Sequence, residues 1–290
     1  MVKTQVQSAT DEILGSIENT VNDVLNKLPL PGKVETSTSV LHPGKMLRSR
    51  FAVRIARDLA QKPERHRLRN ACAAVEIVHT ASLCHDDLID DGRFRRGQPC
   101  LWRTSSPPEA ILTGDMLLCA SIKLVMDAGA GREFLQKITE TCAGETRHEM
   151  KHQPECSPAE WCIEMARGKT GPFFAFLGWF CGQPDPELAT ALEETGYDIG
   201  TAYQLADDLL DATGDEAVVG KTLGLDEARG KLTLPRLPGG KQKCRRQIKS
   251  IVQRISENLL LWPKAKDGVE RFLFQDLKPV LDRFAIDVGI

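Results

Sequence analysis

Two short acidic motifs carry the chemistry of this sequence. The first reads His85-Asp86-Asp87-Leu88-Ile89-Asp90-Asp91, the second Gln204-Leu205-Ala206-Asp207-Asp208-Leu209-Leu210-Asp211, and both contain D-D-x-x-D at the end of a long apolar, helix-spaced run. On a helix, the first and last aspartates of such a motif lie about one turn apart, displaced by only ~40° around the axis, so their carboxylates project from one face. Like charges at that spacing repel and weaken a helix unless a cation sits among them. A hard divalent ion answers this: Mg²⁺ accepts one or two carboxylates together with phosphate oxygens and keeps some of its waters. Asp86, Asp87, Asp90, Asp207, Asp208 and Asp211 are therefore the candidate Mg²⁺ ligands, and two clusters facing one another would hold several ions around one diphosphate. The plainer reading, a solvated acidic helix end, suits one such motif better than two, each preceded by apolar residues. A carboxylate-bridged di-iron bundle would need paired Glu-x-x-His motifs. Glu145 and His148 have that spacing, but no second pair accompanies them.

A diphosphate also needs cations from the protein. Lys45 and Arg48, in Gly44-Lys45-Met46-Leu47-Arg48, stand one turn apart at a helix start, where the helix dipole already favours anions. Arg95 and Arg96 follow the first cluster, and arginine forks suit phosphate oxygens. Lys169-Thr170, between Gly168 and Gly171-Pro172, is expected to interrupt its helix. Lys221 and Lys231 fall in the stretch after the second cluster. His79 lies in an apolar helical run with Glu76 one turn before it; core histidine and diphosphate contact both remain open for it.

Several elements must position these groups. Ile13, Ile17, Val21, Val24 and Leu28 recur at helical intervals until Pro29 and Pro31, and Leu47, Phe51, Ile55 and Leu59 form a second stripe. A segment from about Arg67 to Asp90 is apolar nearly all round (Ala71, Ala74, Val75, Val78, Leu83), which predicts a central, buried helix. A loop over 92–108 follows, then helices over about 109–128, 131–150, 158–180, 186–211, 241–260 and 267–286. No alternating pattern bounded by hairpin turns occurs, so no sheet is expected. The simplest architecture is one all-α domain over 1–290.

Composition narrows the function. The 290 residues are 41% hydrophobic and 27% charged with a net charge of -2, as in a globular protein with a sizeable core. No basic stripe points to nucleic acid, and no apolar run approaches the ~20 residues of a membrane span. Met1–Glu12 lacks the charged-then-apolar layout of a secretion signal, which makes a cytoplasmic enzyme the expectation. The nine cysteines include no C-x-x-C pair. Most sit in apolar helical stretches as small hydrophobes, and zinc is not indicated.

Taken in order and spacing, Gly44-Lys45…Arg48, His79…Asp86-Asp87…Asp90, Arg95-Arg96-Gly97, Gly114-Asp115, Gly168-Lys169-Thr170, Tyr203-Gln204…Asp207-Asp208…Asp211, Gly220-Lys221 and Gly230-Lys231…Thr233-Leu234-Pro235 resemble the trans-isoprenyl diphosphate synthases, the polyprenyl synthetase family, over most of the chain. The resemblance implies a homodimer of all-helical subunits of isoprenoid synthase type, each with its site in a deep central cavity. The implied activity is a Mg²⁺-dependent prenyl transfer joining isopentenyl diphosphate to an allylic diphosphate with release of pyrophosphate. It also implies that Arg95, Lys169, Lys221 and Lys231 contact the allylic diphosphate and that Lys45, Arg48, His79 and Arg96 hold isopentenyl diphosphate. Thr170 and Gln204 would flank the developing carbocation. Tyr203 stands where the family often has phenylalanine, Cys84 where it has an aliphatic residue, and the region after Pro235 is short for the family.

In such enzymes a bulky residue just above the first cluster stops chain growth early. Here Ser82, Ala81 and Val78, with Ala74 and Val75 beyond, are small or mid-sized, and a product of thirty carbons or more is expected. A floor built from Met116, Leu117 or Phe134 would instead leave a farnesyl- or geranylgeranyl-length product. A class I terpene cyclase would lack the second cluster and the isopentenyl diphosphate set, and a non-catalytic partner subunit would have little reason to keep both clusters.

Overall fold

The computed structural model describes residues 2–30, 41–42, 44–150, 156–183, 185–213 and 229–282. Its helices are α1 (Val2–Lys27), α2 (Leu47–Asp58), α3 (Arg65–Ile89), a four-residue α4 (Leu101–Thr104), α5 (Pro107–Asp127), α6 (Gly131–Glu149), α7 (Pro158–Gly182) and α8 (Pro186–Asp211). A 3₁₀ turn at Leu234–Arg236 precedes α9 (Gly240–Asn258), α10 (Pro263–Phe272), a π-helical segment at Leu273–Leu277 and α11 (Lys278–Asp282). The fold is all-α, as expected, with one exception. Between α3 and α4, β1 (Phe94–Arg95) and β2 (Gln98–Pro99) pair antiparallel. Their two-residue turn, Arg96 and Gly97, has positive φ at both positions (53° and 73°), the tight hairpin geometry that needs only two paired residues per strand. So short a ladder leaves no alternating pattern to read.

The chain divides into two compact units, Met1–Ser49, Glu64–Gly131 and Asp215–Leu225 in one, and Arg50–Pro63, Arg132–Gly214 and Asp226–Ile290 in the other. In the first, α3 packs against α1 and α5. Leu14, Ile17, Val21 and Leu25 form the buried stripe of α1, one position off the expected stripe, with Ile13, Val24 and Leu28 at its half-buried edge. Burial of α3 follows its composition: Ala71, Cys72, Ala73, Ala74 and Val75 are all at 0% exposure, which places α3 at the centre of this unit.

In the second unit α7 and α8 lie against each other along their length, and small residues explain why they come so close. A Cβ on Gly178 would stand 2.1 Å from the Leu192 carbonyl oxygen, one on Gly196 2.5 Å from the Ala175 nitrogen, and one on Gly200 2.5 Å from the Gly171 Cα. The expected interruption at Lys169-Thr170 is thus corrected: α7 continues through Gly168, Gly171 and Pro172. The glycines there serve backbone contact with α8, and Pro172 costs one helical hydrogen bond, to the carbonyl of residue 168, without ending the helix. Ser157 and Glu160 form a reciprocal cap at the start of α7, and Asp185 caps α8 through the nitrogens of Glu187 and Leu188, each cap contributing about 1 kcal/mol. Phe51 meets Phe174 and Phe272 edge to face at centroid distances of 5.9 and 5.4 Å and ties α2 to α7 and α10.

The expected helix over 267–286 is divided in the structure. The π segment shifts the register after Phe272 and points Asp276 at α2, where it accepts from Arg54 Nε at 2.8 Å and Arg50 Nη1 at 3.3 Å. No helix among the described residues is long and apolar enough to cross a membrane. The nine cysteines are free thiols, and Cys181 and Cys244, buried, donate to the carbonyls of Ala52 and Leu205.

Gly200→Ala is expected to cost about 2–3 kcal/mol by overpacking, since the clash is backbone on backbone. Thermal melts of that variant beside Gly15→Ala, whose Cβ meets nothing within 4 Å, check this: only the first lowers the melting temperature.

Candidate active site

The sequence candidates fall into two groups, one in each compact unit. The first lies where α3 ends. Asp90 caps α3, its nitrogen bonding the Asp86 carbonyl at 2.7 Å. Asp86 and Asp90 are half-buried and share a face, as their spacing requires. Asp87 points elsewhere. At 4% exposure it accepts from Arg95 Nε at 2.9 and 3.0 Å and from Arg95 Nη2 at 2.6 Å, a two-pronged pair across the hairpin. The burial that makes this pair necessary also pushes the neighbouring thiols of Cys84 and Cys100 up to about 12, with the Asp87 charge adding to it.

Around the same helix end stand the cations assigned to the second diphosphate. Arg96 Nη1 donates to the His42 carbonyl at 2.5 Å, and its guanidinium lies over Gly44, where a Cβ would be 2.7 Å from Nη2. A larger residue there would displace the Arg96 guanidinium from this position. Lys45 is exposed and Arg48 half-buried. His79, half-buried on α3, has its pKa held well below 6.5, first by burial and then by Arg48, Arg95 and Arg96. His79 thus lies within the field of three of the predicted diphosphate-binding arginines. Among the described residues, the non-glycine ones with positive φ are Met46, Asp91 and Arg96, at the start of α2, the end of α3 and the hairpin turn. Backbone strain of order 1 kcal/mol each is concentrated at this group.

Glu76, which sequence reading left as a neighbour of His79, has a definite role. Buried at 3%, it accepts from the Ser49 nitrogen at 3.2 Å and from Ser49 Oγ at 2.6 Å. It thereby fixes the first turn of α2, on which Arg48 is carried.

The second group is built on α7 and α8. Thr170 Oγ1 donates to Gln204 Oε1 at 2.5 Å, and Gln204 Nε2 donates to Asp208 Oδ1 at 2.8 Å. The glycine contact of Gly171 with Gly200 brings these side chains within reach of each other. Asp208 is buried at 8%, Asp207 and Asp211 are half-buried, and Arg236 Nη2 lies 3.2 Å from Asp211 Oδ2. Lys169 Nζ meets Glu145 Oε1 at 2.7 Å, and Lys231, at 3% exposure, pairs with Glu149. Glu149, Arg229 and Arg236 carry no motif in the sequence, and Glu145 is marked there only by its spacing from His148. Lys221 lies outside the described residues.

Among the described residues no three His, Cys, Asp or Glu side chains are gathered into a metal cage. Mg²⁺ takes one or two protein carboxylates and completes its shell with substrate oxygens and water. The donor sets are hard oxygens throughout. Of the chain-length candidates, Val78 and Ala81 are buried at 4% and 2%, while Ser82 is half-buried and donates to the His79 carbonyl at 2.9 Å.

The polyprenyl synthetase family profile matches residues 34–261. A short chain isoprenyl diphosphate synthase of Methanothermobacter thermautotrophicus is 33% identical over 202 residues, 65% of this chain and 62% of that protein. Heptaprenyl diphosphate synthase component 2 of Geobacillus stearothermophilus is 34% identical over 199 residues, 66% of this chain and 61% of that one. The chain thus spans about three fifths of the length of these curated relatives. Among solved structures, a polyprenyl synthase from Caulobacter crescentus CB15, complexed with calcium and isoprenyl diphosphate, superposes with a TM-score of 0.80 at 23% identity over 94% of this chain and 96% of that one. At that identity it establishes the fold.

Because His79 takes a proton near pH 6.5 in the unfolded chain and only at lower pH in the folded one, the unfolded state binds more protons as pH falls below ~6.5 and stability declines. Melting temperatures at pH 7.5 and 5.5 should therefore differ less in His79→Gln than in the parent protein.

Proposed function

The chain belongs to the polyprenyl synthetase family, and on that premise we propose that it condenses isopentenyl diphosphate with an allylic diphosphate to give a linear all-trans polyprenyl diphosphate and pyrophosphate. The observation that supports this reading is that each aspartate cluster ends a largely buried helix and is held by neighbouring donors: Asp87 by Arg95 in the first, Asp208 by Gln204 and Asp211 by Arg236 in the second.

Asp86, Asp87, Asp90, Asp207, Asp208 and Asp211 are the residues that would hold Mg²⁺, with Asp87 and Asp208 anchored by Arg95 and Gln204. Bound there, the ion supplies Lewis-acid stabilisation of the departing pyrophosphate. Lys169, Lys231 and Arg95, with Lys221, neutralise the charge growing on the leaving group. The allylic C–O bond breaks, the double bond of isopentenyl diphosphate attacks the cation, and a proton leaves to form the new double bond. Thr170 and Gln204, bonded to each other, present oxygen dipoles to the cation without offering a nucleophile that deprotonates readily. Released pyrophosphate is the proton acceptor, because no side chain in either group is a suitable base. Apolar helix faces above the clusters keep water from the cation. Lys45, Arg48, His79 and Arg96 hold the isopentenyl diphosphate, with His79 neutral near pH 7 and donating one hydrogen bond.

A single catalytic domain over 1–290, a homodimer and a cytoplasmic location belong to the same proposal. The dimer is supported by α5, whose exposed Ile111, Leu112 and Met126 fall within about 100° of arc. For product length we favour thirty carbons or more, from the small side chains at Val78, Ala81 and Ser82; the alternative is a farnesyl- or geranylgeranyl-length product.

Asp86→Ala and Asp207→Ala should each lower turnover by on the order of a thousandfold, the equivalent of several kcal/mol of lost charge stabilisation. The assay is labelled isopentenyl diphosphate with Mg²⁺ and a series of allylic primers, and near-parental rates for both variants would refute the assignment. Chromatography of the products also reads length. Ser82→Phe, at a half-buried position that accepts a ring more readily than Ala81 does, should shorten the product by at least one isoprene unit.

A further inference from the structure

Three cations of the second unit are bound to two carboxylates of one helix. Glu145 and Glu149 lie four residues apart on α6, hence on one face. Lys169 Nζ is 2.7 Å from Glu145 Oε1, and Lys231 Nζ is 3.8 Å from the same oxygen while pairing closely with Glu149. Arg229 Nη2 also pairs with Glu149. The side chains of Lys231, Glu145 and Glu149 are 3%, 19% and 24% exposed, so water screens these contacts only in part. Burial pushes the Glu149 carboxyl up, but Lys231 and Arg229 outweigh it and hold it below the ordinary range. The carboxylate is therefore ionised at neutral pH. His148, between the two glutamates, is held below its ordinary pKa by burial and by Lys231, and so adds no positive charge there.

We infer that Glu145 and Glu149 are internal rivals of the diphosphate: they hold Lys169, Lys231 and Arg229, and a phosphoryl oxygen must compete with these carboxylates for the cations. The inference rests on the prenyl-transfer reading and adds three residues to its site, Arg229 as a further diphosphate-binding group and the two glutamates as positioning residues. Three positive charges against two negative leave a net +1, which attracts a diphosphate but binds it less tightly than three unopposed cations would. Such attenuation suits an enzyme whose product, pyrophosphate, must leave after every condensation, because tight product binding slows turnover. The same carboxylates fix the flexible lysine stems in place, reducing the entropy lost when an oxygen arrives.

The test titrates inorganic pyrophosphate, with Mg²⁺, into the parent protein and into Glu149→Gln by calorimetry, and measures kcat and KM for the allylic primer in both. Glutamine keeps the size and one acceptor while removing the charge. Pyrophosphate should bind about tenfold more tightly, KM should fall, and kcat should fall with it as release slows. Unchanged or weaker binding in Glu149→Gln overturns the inference, as does a drop in kcat with KM unaltered. Glu145→Gln, whose partner Lys169 is more exposed, gives an independent reading if Glu149→Gln folds poorly, and Arg229→Gln should weaken pyrophosphate binding. If the parent protein takes up no pyrophosphate, the prenyl-transfer reading itself fails; if it binds and the glutamate variants match it, only the rivalry is lost.

Discussion

Negative charge at the ends of greasy helices is the condition on which everything else in this chain depends. The apolar runs of α3 and α8 end in aspartates that lie partly or wholly out of water, where an unopposed carboxylate costs several kcal/mol. Each cluster is accordingly furnished with neighbours that share the load: Arg95 across a two-residue hairpin for Asp87, Gln204 one turn back for Asp208, Arg236 for Asp211. Those neighbours are also suited to phosphate oxygens. On the proposed function, the arrangement that keeps the protein folded also supplies the donors for the substrate, and stability and function draw on the same side chains.

Packing sets how finely this can be arranged. In the second unit the backbones of α7 and α8 touch at glycines, and that contact holds Thr170 against Gln204 and Gln204 against Asp208. In the first unit, a buried glutamate pins the opening turn of α2, while three residues with left-handed backbone shape the approach to Arg48, Asp90 and Arg95. In both places a candidate site residue is oriented by a neighbour that is itself fixed by main-chain contacts, which gives the precision a site needs.

Much of this was legible from residue types and spacing. The helices at 131–149, 158–182 and 186–211 follow from period and caps, and both clusters from their own letters. What escaped reading had physical reasons. The hairpin is too short to leave a period, and the unbroken course of α7 through Gly168-Lys169-Thr170-Gly171-Pro172 depends on a partner helix rather than on local propensity. The pairing of Asp87 with Arg95 also left no sign, because it depends on how the hairpin folds back on the end of α3. Glu149, Arg229 and Arg236 were invisible because surface-type residues acquire meaning only through tertiary proximity.

The π-helical segment at Leu273–Leu277 has a bearing on how this protein can change over time. Its widened turn holds one residue more than an α-helix would, and that surplus aims Asp276 at Arg54, whose side chain is 2% exposed. Exchanging the exposed side chains of Phe274 or Gln275 leaves this geometry intact. Losing a single codon would not: the helix would wind back to ordinary register, Asp276 would swing by about 100°, and a guanidinium sealed inside the protein would be stranded. Descendants of this sequence are thus freer to vary in letters at those two positions than in length.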